Sequence, residues 1–184
     1  MNAPICNLTL HTLRAVTLYV WIVGAFAFVT PRSIAEDASA NVDQGIAYLN
    51  GDGVPRDWNK AEELLKAGAV AGDRRAQFHL AEMYYLGEGG LTKHAAAMRW
   101  YTDAAEQGHP EAQLRLGYFS VVGHSIPRDI EVAVDWFTQA ARNGEAAAQA
   151  WLGAAYANGR GVTKHEEEAV LWFSRYAEQG SAED

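Results

Sequence analysis

The chain has 184 residues, 49% of them hydrophobic, with 23 acidic against 15 basic side chains and a formal net charge of −8. That length and apolar content suffice for one sizeable folded domain. The acidic balance argues against a nucleic-acid module, which would show a basic stripe, and against docking on an anionic membrane surface.

Met1 to Ala35 differs in kind from the rest. Ala15 to Val29 (AVTLYVWIVGAFAFV) is an uncharged, mostly apolar run after Arg14, and Pro31 interrupts it. Ser33-Ile34-Ala35 places small residues where a cleavage site needs them, so 1–35 has the layout of a secretory signal peptide. A spanning helix needs roughly 20 apolar residues, which makes the run short for an anchor. Cleavage after Ala35 and a periplasmic or secreted protein are the expectation. Retention as an inner-membrane anchor, with the repeats outside, is the alternative, and only then does the chain engage a membrane. Cys6 lies within the leader, so the chain beyond Ala35 has no cysteine and no disulfide. Residues 36–39 form a short acidic linker. Beyond Ala35 lie all 23 acidic residues and 13 of the 15 basic ones, a net charge of −10.

From Ala40 onward the chain repeats itself every 36 residues without insertion: 40–75, 76–111, 112–147 and 148–184. Ala40, Ala76, Ala112 and Ala148 share one column, and Gly51, Gly87, Gly123 and Gly159 another. Ala61, Ala97, Ala133 and Ala169 form a third, and Gly72, Gly108, Gly144 and Gly180 close the units. Each unit reads as two helices. Ala76, Leu80, Met83 and Tyr84 stand at i, i+4, i+7 and i+8, one amphipathic face ending at Gly87. The second helix is expected from about His94 to Glu106, with Ala97, Trp100, Tyr101, Ala104 and Ala105 on one stripe and Gly108 at its end. Helix hairpins of this kind bury their apolar faces only when stacked. The fold class is therefore all-α: an α/α solenoid of four helix-pair repeats wound as a right-handed superhelix.

The shared residues are A-Q-x-x-L-[AG]-x-x-Y, then G-x-G-V, then A-x-x-W-[YF]-x-x-A-A-x-x-G. Together they resemble the Sel-1-like repeat of the tetratricopeptide superfamily, over 40–180. A tetratricopeptide unit has a shorter period and lacks the G-x-G turn. Repeat three departs from the pattern with Ser120 for the Tyr and Ser125 for the second turn Gly. Repeat one, with Gln44 for the Leu and Leu64-Leu65 for the W-[YF] pair, looks like a degenerate terminal cap. The resemblance implies a non-catalytic scaffold that binds a protein or peptide, in bacterial envelope signalling or host contact. It also implies a remote alternative, an enzyme or binder for cell-wall or penicillin-type substrates. The subgroup concerned carries paired cysteines within its repeats, and this chain has none there.

Candidate chemistry is thin. The turns Asn50-Gly51-Asp52-Gly53, Gly87-Glu88-Gly89 and Asn158-Gly159-Arg160-Gly161 come after helices, whereas a phosphate loop comes after a strand. His79, His94, His109, His124 and His165 occupy different repeat positions, form no H-x-x-x-H pair, and read as surface histidines. Glu166, Glu167 and Glu168 complement a helix dipole. No Gly-x-Ser-x-Gly nucleophile setting exists. No catalytic residue, metal site or cofactor is expected.

Positions that vary between repeats point to the working face. On the first helices these are Val42, Ile46 and Leu49, then Phe78, Glu82 and Tyr85, then Leu114, Tyr118 and Val121, then Ala150, Ala154 and Ala157. A tetratricopeptide-like array turns this face toward its concave groove, and Phe78, Glu82, Tyr85, Leu114, Tyr118 and Val121 are the candidate protein-binding residues. The competing account buries the same side chains between adjacent first helices. At the C-terminal end, Trp172 and Tyr176 lie on a helix with no successor, and an end-to-end contact through that repeat is expected, in a homodimer or with another envelope protein.

Overall fold

A computed structural model describes the backbone of residues 31–90 and 92–180 and the side chains from Ser39 to Gly180, Leu91 apart. The apolar run Ala15–Val29 lies outside the described residues. Among them, no helix is long and apolar enough to cross a membrane. The chain divides into two compact units, 1–38 and 39–184, and the second holds the repeats.

The described secondary structure is helical throughout: α1 (Pro31–Asn50), α2 (Trp58–Val70), α3 (Arg74–Leu86), α4 (His94–Glu106), α5 (Pro110–Val122), α6 (Ile130–Arg142), α7 (Ala146–Asn158) and α8 (Glu166–Gly180). Helix α1 runs unbroken through 36–39, the stretch expected to be a linker; Pro31 stands at its first position, where a missing N–H costs nothing. Helices α2 to α7 all have thirteen residues, so the same faces meet at every step.

Their ends are set by local sequence. Asp57, Asp73 and Asp129 accept backbone N–H groups at the starts of α2, α3 and α6. Helices α3, α5 and α7 each stop at a left-handed glycine, Gly87, Gly123 or Gly159, at φ of 74°, 78° and 68°. The chain then returns so that the N–H groups of Asp57, Lys93, Asp129 and His165 donate to the carbonyls of Tyr48, Tyr84, Ser120 and Tyr156, at 2.8–3.0 Å. One hydrogen bond, repeated four times, sets the hairpin in every unit.

Consecutive units are tied by buried glutamines. Gln77, Gln113 and Gln149 donate Nε2 to the carbonyls of Ala69, Ala105 and Ala141, at 3.2, 2.9 and 3.3 Å. Each acceptor is the penultimate residue of the preceding second helix, whose last carbonyls lack helical partners. The oxygens of Gln77 and Gln113 accept from Gln107 and Asn143, which sit just past the ends of α4 and α6. Around these ties Ala76, Ala112 and Ala148 are fully buried and admit close helix approach.

The largest fully buried side chains are Tyr101 and Phe137, both with no exposed surface. Each lies between its own repeat and the next: Tyr101 is 5.6 Å from the Phe119 ring, and Phe137 stacks on Trp151 at 4.2 Å. Phe137 also packs on Gly117 so closely that a Cβ there would stand 2.7 Å from the ring. The neighbouring Trp100 and Trp136 are only half-buried. Of the W-[YF] pair it is the second ring that fills the centre, because it faces the incoming helix.

The last repeat departs from this pattern. Gly72, Gly108 and Gly144 turn the chain at φ of 90°, 78° and 93°, but Gly180 remains inside α8, which has fifteen residues. Gln179, the counterpart of Gln107 and Asn143, stays on the helix, and Gln149 Oε1 has no partner among the described residues.

His109 precedes α5 at the joint between the second and third repeats and is 8% exposed. It is not the surface histidine its sequence setting suggests. Pro110 starts the helix and tucks the imidazole against Phe78, ring centres 4.6 Å apart. Its Nδ1 lies 3.0 Å from Glu111 Oε2, though not aligned for a hydrogen bond. Burial holds the pKa of His109 below the usual imidazole range, and His79, Arg74 and Arg75 push the same way against Glu111. Burial likewise lowers His79, with Arg75 adding to the effect and Glu82, Glu111 and Asp73 opposing it.

The ring assignment and the buried histidines can each be tested. Phe137→Ala should cost about 3–5 kcal/mol, and Trp136→Ala distinctly less, in urea denaturation; equal costs would mean the burial assignment is wrong. For the histidines, the folded chain binds its protons at lower pH than the unfolded chain, whose imidazoles titrate near about 6.5. Their contribution is whole above that value and is lost as pH falls toward the depressed folded values. The denaturation midpoint should fall between about pH 7.5 and pH 5.5, and His109→Asn should shrink the fall; an unchanged fall in the variant refutes the assignment.

Candidate interaction face

Phe78, Glu82 and Tyr85 stand at i, i+4 and i+7 of α3, and Leu114, Tyr118 and Val121 at the same spacing on α5, so each triplet shares one helix face. The structure brings the two triplets to neighbouring first helices but holds most of them in place. Phe78 and Tyr85 pack on the N-terminal core, Leu114 and Val121 on the C-terminal core, and all four are half-buried. Tyr118 is 38% exposed, with its ring edge-on to Phe137 at 5.3 Å.

Glu82 is the centre of a charged network. The buried hydroxyl of Tyr101 donates to Glu82 Oε1 at 2.7 Å, and Arg115 Nε donates to the same oxygen at 2.7 Å. Arg115 Nη2 reaches Oε2 at 3.3 Å, so the guanidinium grips the carboxylate from the next first helix. Burial and the adjacent carboxylate raise the pKa of Tyr101, which stays a phenol and a donor. The carboxylate raises the pKa of Arg115 as well. This network locks α3, α4 and α5 together under the face.

Tyr85 gathers further rings. His94, Phe119 and His124 surround it at 5.3, 5.0 and 5.8 Å, and His94 and His124 lie edge to face at 5.5 Å. Both histidines are exposed. Sequence reasoning left them out of the face because they occupy different repeat positions, His94 at the start of α4 and His124 in the turn after α5; only the hairpin return brings them to Tyr85. Among the described residues, no three His, Cys, Asp or Glu groups are placed to hold a metal ion.

The face fades toward both ends. Val42 and Leu49 on α1 are buried rather than turned outward. Gly68 admits Val42: a Cβ there would stand 2.5 Å from its methyl. On α7 the corresponding positions are alanines. At the C-terminal end, Trp172 is 6% exposed, with the Arg175 guanidinium over its ring at 4.7 Å. It belongs to the C-terminal core that also holds Phe137 and Leu152 and is not available as an outward contact. Val170, Leu171, Phe173 and Tyr176 on α8 are the exposed apolar residues there. Phe173 rests on Gly153, and among the described residues no ring covers it as Phe119 and Trp151 cover Tyr101 and Phe137.

The Sel1 repeat profile matches residues 39–73, 74–109, 110–145 and 146–181, one per helix pair. Among solved structures, a Sel1 repeat protein from Oxalobacter formigenes is 29% identical with a TM-score of 0.74, covering 90% of this chain and 69% of that one. A protective antigen of uropathogenic Escherichia coli with an SLR fold is 34% identical with a TM-score of 0.73 over 81% of this chain. The match spans only 32% of the antigen's length. No curated protein matches. Four tandem profile matches on four helix pairs place this chain in the Sel1 repeat family.

Proposed function

We propose that the chain is an exported adaptor that binds a protein or peptide through the face shared by α3 and α5, in the bacterial envelope or in contact with a host. Sel1 repeat proteins are in general non-catalytic scaffolds for protein partners. The observation that carries the specific reading is the aromatic stripe around Tyr118. Its outer edge is open while Phe137 fixes the ring from below. A pre-set aromatic loses little conformational freedom on binding, and such residues dominate interface energetics. Phe78, Tyr85, Leu114 and Val121 flank it as half-buried supports, and Glu82 and Arg115 supply fixed charge beside it. Export rests on the leader, and host contact on the description of the Escherichia coli relative as a protective antigen.

The protein recovered from the native envelope fraction should begin at Glu36. Used as bait, it should lose its partner on Tyr118→Ala with an unchanged denaturation midpoint, and retain it on Glu131→Ala, an exposed change on α6. Tyr85→Ala is a poorer probe, since that ring supports four others. An intact Met1 in the cytoplasm defeats the export reading. Capture that survives Tyr118→Ala but not Glu131→Ala defeats the binding face.

We also propose that the exposed apolar end of α8 pairs with a second copy through Tyr176. Sedimentation over a range of concentrations should show a dimer that Tyr176→Glu abolishes. A monomer at every concentration rejects it.

A further inference from the structure

The first helices carry a tyrosine at one repeat position, Tyr48, Tyr84 and Tyr156, and the third repeat alone has Ser120 there. The backbone shows that the four sites are equivalent, because their carbonyls accept the same hydrogen bond from the residue nine positions on. Their side-chain surroundings differ. The Tyr84 ring is buried, its hydroxyl donates to Glu62 Oε1 at 2.8 Å, and Lys93 Nζ lies 4.2 Å from its centre. Lys60 stands over Tyr48 at 5.0 Å. Tyr156 packs half-buried on the C-terminal core.

At position 120 the ring is missing, and an open cleft of about 340 Å³ lies there. Its walls are Met98, Leu116, Ile126, Val132 and Trp136, with Ser120 at the floor. The size is at the lower end for a ligand cleft, which starts near about 300 Å³. The Ser120 hydroxyl donates back to the Leu116 carbonyl at 2.9 Å, and the Thr102 hydroxyl to that of Met98 at 2.9 Å. Neither offers a proton to the cleft. Met98 occupies the position that Glu62 holds one repeat earlier, so the carboxylate that accepts the Tyr84 hydroxyl has become a thioether. Thioethers favour contact with ring edges and do not need a hydroxyl. The third repeat has therefore lost both its own ring and that ring's polar partner, and the Trp136 face remains as one wall. Arg99 and Asp103, exposed and of opposite charge, also border the opening and suit the N–H and carbonyl groups of an approaching peptide.

We propose that this cleft takes the side chain of a phenylalanine carried by a partner polypeptide, in the space a tyrosine of the chain fills in the other repeats. The site is built from α4, α5 and α6 around Trp136 and does not use Tyr118, so it stands or falls separately from the face shared by α3 and α5.

The test is NMR of the whole chain with labelled methionine methyls, of which there are three. N-acetylphenylalanine amide should move the Met98 methyl in a saturable way and leave the buried Met83 methyl in place. The leucine analogue should produce a much smaller shift. Ser120→Tyr, which supplies the chain's own ring, should abolish the response with an equal or higher denaturation midpoint. Should that variant fail to fold, Val132→Lys, on an exposed wall of the cleft, should abolish it independently. The proposal is overturned if Met98 does not move up to the solubility limit, if Met83 moves equally, or if leucine performs as well. It is also overturned if the response survives in a folded Ser120→Tyr or Val132→Lys protein. Binding of benzyl alcohol without binding of the amide overturns it in favour of a free aromatic compound.

Discussion

The array depends on a side-chain amide that has no access to water. Gln77, Gln113 and Gln149 are each buried where one helix pair meets the next. An amide enclosed without partners costs several times what its hydrogen bonds contribute on balance, so it is tolerated only where the geometry returns both ends to a partner. In the second and third repeats it does. The nitrogen bonds to the end of the preceding second helix, and the oxygen is met from the end of the second helix of its own repeat. Three segments are thereby held at fixed separation, and the neighbouring buried alanines leave no room for slippage. All three joints use the same eight-residue step from acceptor carbonyl to glutamine.

Once the joints are rigid, the rest of the structure becomes a matter of which ring fills which gap. Tyr101 and Phe137 occupy equivalent places but solve them differently. Phe137 is apolar and lies directly on Gly117. Tyr101 carries a hydroxyl, and that hydroxyl needs the Glu82 carboxylate, which in turn is gripped by Arg115. Although Arg115 is half-exposed and an isolated surface pair would contribute little, here the carboxylate also satisfies a buried phenol. The network stiffens α3 and α5 where their varying residues lie together. A face backed in this way can present Tyr118 in one orientation.

Departures from the repeat are as informative as adherence to it. Ser120 interrupts the tyrosine column and leaves a cleft beside it. Gly180 ends α8 as a helical residue, Gln149 Oε1 has no partner among the described residues, and Phe173 is 43% exposed. Both departures leave apolar side chains open to solvent, Val132 beside Ser120 and Phe173 on α8.

Much of the architecture was legible in the residues alone. Periodic alanine, glycine and aromatic columns specify helix pairs, their ends and their stacking, because helix faces and glycine turns are local properties of the chain. The second helix of repeat two begins and ends where its sequence indicates, at His94 and Glu106. Local pattern could not say which member of the Trp136-Phe137 pair faces the incoming helix, since both lie on the apolar side. Nor could it show that His109 is buried under Phe78, that Val42 turns inward against Gly68, or that Trp172 is enclosed while Phe173 is open. Each of those depends on what another helix places opposite the side chain, a contact that the pattern of one helix does not contain. Periodicity determined the fold, and the packing between helices decided which side chains stayed exposed.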